Sequence, residues 1–302
     1  MQQDRPFLGI LLMLGFCVLA PLGDSIGKLL GGVIGLGVLV FVRFSVQALV
    51  LLPIVLWRGD GLRLPPGTLP LILARTILHI CGIALMFLGL RYLPLADALA
   101  IAFVMPFIML LLGYFVLGEE VGPHRLVACA VGFIGTLLVI QPNFAEVGAP
   151  ALYPLGVAVV FALFMLVTRK VAKQLDPIKL QTISGLQATA LLTPFLILLP
   201  QHPEFALEAP DGSTIALLAA LGLLGTFAHL MMTWSLRFAP SATLAPMQYL
   251  EIPVGTVIGY LIFKDLPNGL AALGICITIG AGLYIILREQ RLSQRKAAPA
   301  EA

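Results

Sequence analysis

Charge is scarce in this chain. Of its 302 residues, 18 are Lys or Arg and 15 are Asp or Glu, so 11% are charged, against roughly a quarter in a soluble domain. A mean hydropathy of +1.03 leaves too little polar surface to cover a water-soluble globule. The same shortage excludes a disordered chain and a nucleic-acid binder. Cysteine is scarce too. Cys17, Cys81, Cys129 and Cys276 stand singly, with no Cys-x-x-Cys and no Cys–His spacing, which excludes a disulfide scaffold and a cysteine metal site. Four scattered histidines supply neither a metal cluster nor a nucleophile with its base, so a membrane-embedded enzyme is not expected. No glycine-rich loop ends in Lys-Ser or Lys-Thr. There is therefore no ATPase signature, and no cofactor is expected.

What is abundant is apolar sequence in long runs. Ten spans are read, at 7–29, 33–57, 69–91, 95–117, 124–141, 150–170, 178–200, 214–236, 241–263 and 268–288. Each approximates the ~20 residues that cross a ~30 Å hydrocarbon core. Turn-forming clusters such as Pro65-Pro66-Gly67, Gly118-Glu119-Glu120 and Pro210-Asp211-Gly212 punctuate them. The runs are long and unalternating, so the expected class is an all-α integral membrane protein rather than a barrel. The first run continues to Leu29 without a small-x-small cleavage site and reads as span one, not as a secretory signal.

Orientation follows from the basic residues. With the N-terminus inside, segments on the inner side carry thirteen Lys and Arg, and those on the outer side carry only Lys28, Arg91 and Lys264. The connections 142–149 and 201–213 contain acids but no Lys or Arg. Both termini are thus expected in the cytoplasm, with 289–302 as a basic cytoplasmic tail.

The chain also repeats itself. A shift of 146 residues lays Ala74, Leu78, Met86, Leu90, Arg91, Pro94, Gly113 and Tyr114 on Ala220, Leu224, Met232, Leu236, Arg237, Pro240, Gly259 and Tyr260, and Glu119 on Asp265. A shift of 140 lays Gln47, Ala48, Leu51 and Leu52 on Gln187, Ala188, Leu191 and Leu192. Residues 7–141 and 150–288 are therefore expected to be two five-helix repeats. Five is odd, so the second copy enters from the opposite side. Such inverted repeats suit alternating access, with a site near the midplane between the halves.

Several motifs carry a family resemblance. They are Asp24 with Lys28, Arg43-Phe44 with Ala48, Leu93-Pro94-Leu95-Ala96-Asp97-Ala98, Pro106 and Gly118-Glu119-Glu120-Val121-Gly122. In the second half they are Pro246-Met247-Gln248-Tyr249-Leu250-Glu251, Gly259-Tyr260 and Phe263-Lys264-Asp265-Leu266-Pro267. Their order and spacing resemble the drug/metabolite transporter superfamily, in its ten-helix branch with paired EamA-type domains, over about 7–288. The resemblance implies secondary transport of a small organic metabolite across a bacterial inner membrane. Riboflavin uptake is the first substrate it suggests, followed by S-adenosylmethionine and amino-acid-related solutes. The partners it implies are that solute, the bilayer and, as an oligomeric option, a second copy of the chain.

The repeat separates residues the fold requires from residues it does not. Arg91, Arg237, Glu119 and Asp265 recur and read as structural. Glu251 lies about ten residues into its span, yet its repeat partner is Met105. A charge at mid-bilayer costs at least ~2.5–3.5 kcal/mol and must face the interior, a partner or water. Gln248 stands one turn earlier on the same face of a continuous helix. Glu251 is the expected proton-sensitive group. Arg43 is equally deep, opposite Ile183 in the repeat, with Gln47 one turn on. A buried pair with Glu251 and direct contact with an anionic group of the solute are the two readings of Arg43.

Asp24 is expected at the outer mouth, with Lys28 at i+4. Asp97 falls in the first turn of its span, where an acid favours the helix dipole. Arg75 reads as shallow enough to reach the cytoplasmic interface. His79, deeper on the same face, reads as a hydrogen-bonded packing residue or a cavity residue. Thr226, His229 and Thr233 share a face of span eight, with Trp234 beside it, and Tyr249 follows Gln248. Aromatic side chains beside polar groups suit a flat heteroaromatic solute. A passive channel is the remaining rival, and the inverted repeat argues against it.

Overall fold

A computed structural model describes residues 5–59, 61–140, 148–206, 210–264 and 269–297. Among the described residues there are twelve α-helices, one 3-10 turn and no strand. The first half comprises α1 (Pro6–Leu30), α2 (Leu36–Trp57), α3 (Leu69–Leu90), α4 (Leu95–Ala102), α5 (Met105–Leu117) and α6 (Pro123–Ile140). The second comprises α7 (Leu152–Ala172), α8 (Pro177–Leu198), α9 (Gly212–Phe238), α10 (Ser241–Gln248), α11 (Glu251–Phe263) and α12 (Gly269–Ala297). Local chemistry marks several starts. Pro6 and Pro177 occupy first turns, where a missing N–H costs nothing. Asp176 caps α8 by accepting from the N–H of Ile178 at 2.9 Å, and Asp211 caps α9 by accepting from that of Thr214 at 2.8 Å.

Among the described residues, seven helical segments are each long and apolar enough to cross a membrane. α6 and the pairs α4–α5 and α10–α11 supply the other three spans. Large apolar side chains such as Leu49, Trp57, Phe115 and Ile197 are exposed on the outside of the bundle, as a lipid-facing surface requires.

Two spans read as continuous in the sequence are broken. Residues 95–117 form α4 and α5, and residues 241–263 form α10 and α11. Proline accounts for both breaks. Pro106 offers no N–H to the carbonyl of Ala102, and Pro253 offers none to that of Tyr249; each ring also crowds that carbonyl. The Tyr249 carbonyl instead accepts from Ile252 in a tighter turn at 3.2 Å. The 146-residue shift maps α4 onto α10 and α5 onto α11 at both ends. It also maps Gly118 onto Lys264, which end α5 and α11 in the same left-handed conformation, each with φ 63°.

Packing repeats as well. The most extensive pairings are α1 with α9, α3 with α7, α2 with α8 and α6 with α12. Every one joins the two halves, and α1–α9 is the repeat image of α7–α3. Neither half encloses a core alone; one apolar cluster draws on both. With five spans in each half, the second enters the bilayer from the opposite side to the first.

Candidate functional site

Between the halves lies a cavity with an empty volume of about 710 Å³, open mouth included. Phe16, Phe87, Phe103 and Phe161 give it aromatic walls, and its polar lining groups are Asp24, Arg43, His229 and Glu251. The lining uses the end of α3 (Gly82 to Phe87) and the start of α7 (Val157, Phe161). Those ends share one membrane face. The cavity therefore occupies the half of the bundle remote from the chain termini.

Arg43 is 4% exposed on α2. Its Nη2 lies 2.9 Å from Nδ1 of His229. The same Nδ1 lies 3.2 Å from the Gly225 carbonyl, so it accepts from Arg43 in one tautomer and donates to Gly225 in the other. Arg43 Nη1 and His229 Nε2 are buried without a partner in the protein. Gly225 makes the arrangement possible, since a Cβ there would stand 2.7 Å from Arg43 Nε. Asp24 faces Arg43 from α1 within electrostatic reach. Glu251 opens α11, where the helix dipole favours an acid, and its Oε1 also has no partner. Each such orphan costs about 1–3 kcal/mol unless something meets it. No ion pair joins Arg43 to Glu251, so the paired reading of these two is not the arrangement in this conformation.

The half nearer the termini is closed. Arg75 is fully buried, not interfacial as expected from its sequence position. It donates to Thr168 of α7 at 2.9 Å, to Ser184 of α8 at 2.7 Å and to Thr233 of α9 at 3.4 Å. Its guanidinium stacks 4.7 Å over Phe164. Hydroxyl groups spread over three distant segments give no sequence pattern, and these partners let Arg75 remain deep. Nearby, Arg169 pairs with Glu119 at 3.1 Å. Glu119 also accepts from Ser241 Oγ at 2.5 Å and from the Ala242 N–H at 3.1 Å, at the start of α10. Under the 146-residue shift the counterpart of Arg75 is Leu221, which lines the open cavity. Closure at Arg75 is polar, and the matching position on the other side is apolar.

Other expected site residues move out of the cavity. The break at Tyr249–Leu250 removes Gln248 from the face of Glu251, and its Nε2 points at Met109 Sδ at 3.3 Å. Tyr249 is fully buried packing, against Phe103 and over Gly132. Gln47 donates to the Gln181 carbonyl at 2.7 Å. Gln181 in turn donates to the His229 carbonyl at 2.8 Å and to Thr233 Oγ1 at 2.9 Å, so Gln47 belongs to the closed half. His79 lies beneath the cavity against His229, with ring centroids 4.3 Å apart, and neither of its nitrogens is hydrogen-bonded. The backbone of Asp97 lies in α4; its side chain is outside the described residues, as is all of Asp265.

A bundle of ten spans in two interlocked halves, with a partly polar cavity at broken helices between them, defines a polytopic solute transporter. The chain belongs to the EamA-like transporter family, which matches residues 7–141 and again 149–288. A riboflavin transporter of Rhizobium johnstonii is 30% identical over 231 residues, 74% of this chain and 72% of that protein. An S-adenosylmethionine uptake transporter of Rickettsia felis is 29% identical over 280 residues, 90% of each. A riboflavin transporter of Vibrio cholerae is 26% identical over 257 residues, 84% of each. A solved crystal structure superposes with a TM-score of 0.72 over 93% of this chain and 96% of its own, at 21% identity.

Proposed function

We propose that this protein carries riboflavin into the bacterial cell across the inner membrane, by alternating access and without ATP hydrolysis. One observation carries the reading. Four phenylalanines surround a few hydrogen-bonding atoms that lack partners, Arg43 Nη1, His229 Nε2 and Glu251 Oε1. A flat ring system stacks between such walls, and a ring edge bearing both acceptors and N–H groups meets a guanidinium donor, an imidazole nitrogen and a carboxyl. The similarity to proteins named riboflavin transporters supports the same choice. The basic-residue asymmetry supports cytoplasmic termini, and with them a cavity open to the outside. The halves 7–141 and 150–288 then act as the rocking units, and 289–302 is a cytoplasmic tail. Neither catalysis nor a nucleic-acid partner enters this reading, and a homodimer is compatible with it.

A second reading rests on a second observation. Asp24 and Glu251 bring two carboxyls to one cavity, which suits a cationic group such as the sulfonium of S-adenosylmethionine or the ammonium of an amino-acid-related solute. Growth rescue separates the readings. In a riboflavin auxotroph lacking its own uptake system, the protein should restore growth at low external riboflavin. Failure to do so, with rescue of an S-adenosylmethionine auxotroph, would replace the first reading by the second.

A further inference from the structure

Below the cavity floor lies a second set of groups that the open cavity does not use. His79 is fully buried on α3. Its ring is stacked on Phe164 with centroids 4.4 Å apart, meets Phe44 edge-on at 4.8 Å, and touches His229 at the cavity floor. Neither nitrogen has a hydrogen-bond partner. A box of this kind is filled at no polar cost by Phe or Leu, and the repeat counterpart of His79 is Gly225, so the fold requires no imidazole there. One turn earlier on α3, Arg75 also lies over the Phe164 ring. No acid pairs with Arg75 among the described residues; neutral hydroxyls of α7, α8 and α9 hold it. Arg75 and His79 belong to the first half, and all three hydroxyls and Phe164 to the second. Parting of the halves on this side breaks those three bonds together and uncovers a slot with an aromatic wall, an unsatisfied imidazole and a guanidinium.

We infer that His79 and Arg75 form a second substrate site, closed in this conformation, which takes the solute's planar hydrogen-bonding ring after it leaves the outer cavity. Phe164 then stacks on the ring, His79 bonds its edge, and Arg75 exchanges its hydroxyl partners for the solute's acceptor atoms. The inference rests on the proposal that the solute is a flat heteroaromatic metabolite.

The test uses the full-length protein with riboflavin and S-adenosylmethionine as probes, in detergent for binding and in liposomes for flux. His79→Leu should bind the transported probe as wild type does, because its ring lies outside the cavity. Its flux should fall about tenfold, the worth of one hydrogen bond. His79→Gln, which keeps a donor and an acceptor, should recover most of that flux. A second measurement leaves His79 intact. In a cysteine-free background, labelling of Ser184→Cys from the termini side should slow at least about fivefold when probe is present, as expected at concentrations several times the dissociation constant. Unchanged flux in His79→Leu, parallel loss of binding and flux, or labelling of Ser184→Cys that ignores a transported probe would each overturn the inference. A wild-type protein that carries neither probe would remove the proposed function and this site with it.

Discussion

Arg91 and Arg237 stand 146 residues apart and each holds a carboxylate over the start of the second helix of one half. Arg91 grips Glu204 with both terminal nitrogens, at 2.6 and 2.9 Å, and Glu204 Oε2 accepts from the Leu36 N–H at the start of α2 at 2.6 Å. Arg237 lies 3.8 Å from Asp176, which caps α8. The acid differs in origin. In the second half it is the capping residue itself; in the first, Gly35 stands at the cap and the other half's loop supplies Glu204. The arginine keeps its role while its partner has changed source.

Glu204 gives a pH-dependent consequence. The hydrogen bonds from Arg91, helped by the Leu36 N–H, hold its carboxyl below the usual carboxylate range. A lowered folded-state pKa contributes stability above the unfolded value of about 4.3, and that stability is lost as pH falls through the folded value. Glu204→Gln should therefore lower the thermal midpoint near neutrality by the equivalent of about 1 kcal/mol, as for a partly solvated pair and cap. The gap from wild type should close on acidification below about pH 4. A gap that persists unchanged there would contradict the assignment.

Lys264 carries a backbone cost that its counterpart Gly118 avoids. A left-handed residue with a Cβ is disfavoured by about 1–2 kcal/mol. Lys264→Gly should raise the thermal midpoint by roughly 1 kcal/mol equivalent, with transport unchanged. Gly118→Ala should lower it by a similar amount.

Gly225→Ala tests the seating of Arg43. The added methyl must push the guanidinium away from His229, while the helix itself prefers alanine. Membrane abundance should hold or rise, and half-saturation for the transported solute should increase about tenfold, the worth of one charged hydrogen bond. Unchanged half-saturation would remove Arg43 from the binding site.

Glu251 is the group proposed to sense protons, facing Asp24 from α1 with Arg43 of α2 and His229 of α9 on the same cavity. Glu251→Gln should flatten the pH dependence of net transport between about pH 5.5 and 8 and leave solute exchange intact, because exchange moves no net proton. Wild-type transport that is flat over that range and indifferent to an uncoupler would leave a simple facilitator.

The ten spans and the repeat were legible because apolar length and recurring packing residues are written along the chain. Arg43 and Glu251 stood out because their counterparts, Ile183 and Met105, carry no charge. The same comparison sets Arg75 against Leu221, so the signal for its burial is in the sequence, although its place near a span end points to the interface. Its hydroxyl partners lie 93 to 158 residues away on three helices, a separation no local pattern reveals. The broken helices were missed because apolar sequence runs through both breaks, and only the backbone shows that Pro106 and Pro253 end a hydrogen-bond ladder there. That break is also why Gln248 and Glu251 do not share a face.

The most direct test of carrier function is counterflow with purified protein in liposomes. Vesicles loaded with unlabelled riboflavin, diluted into trace labelled riboflavin, should accumulate label transiently above equilibrium, with saturation as external riboflavin rises. Accumulation no greater than in protein-free vesicles, or entry that grows linearly without overshoot, would contradict the account.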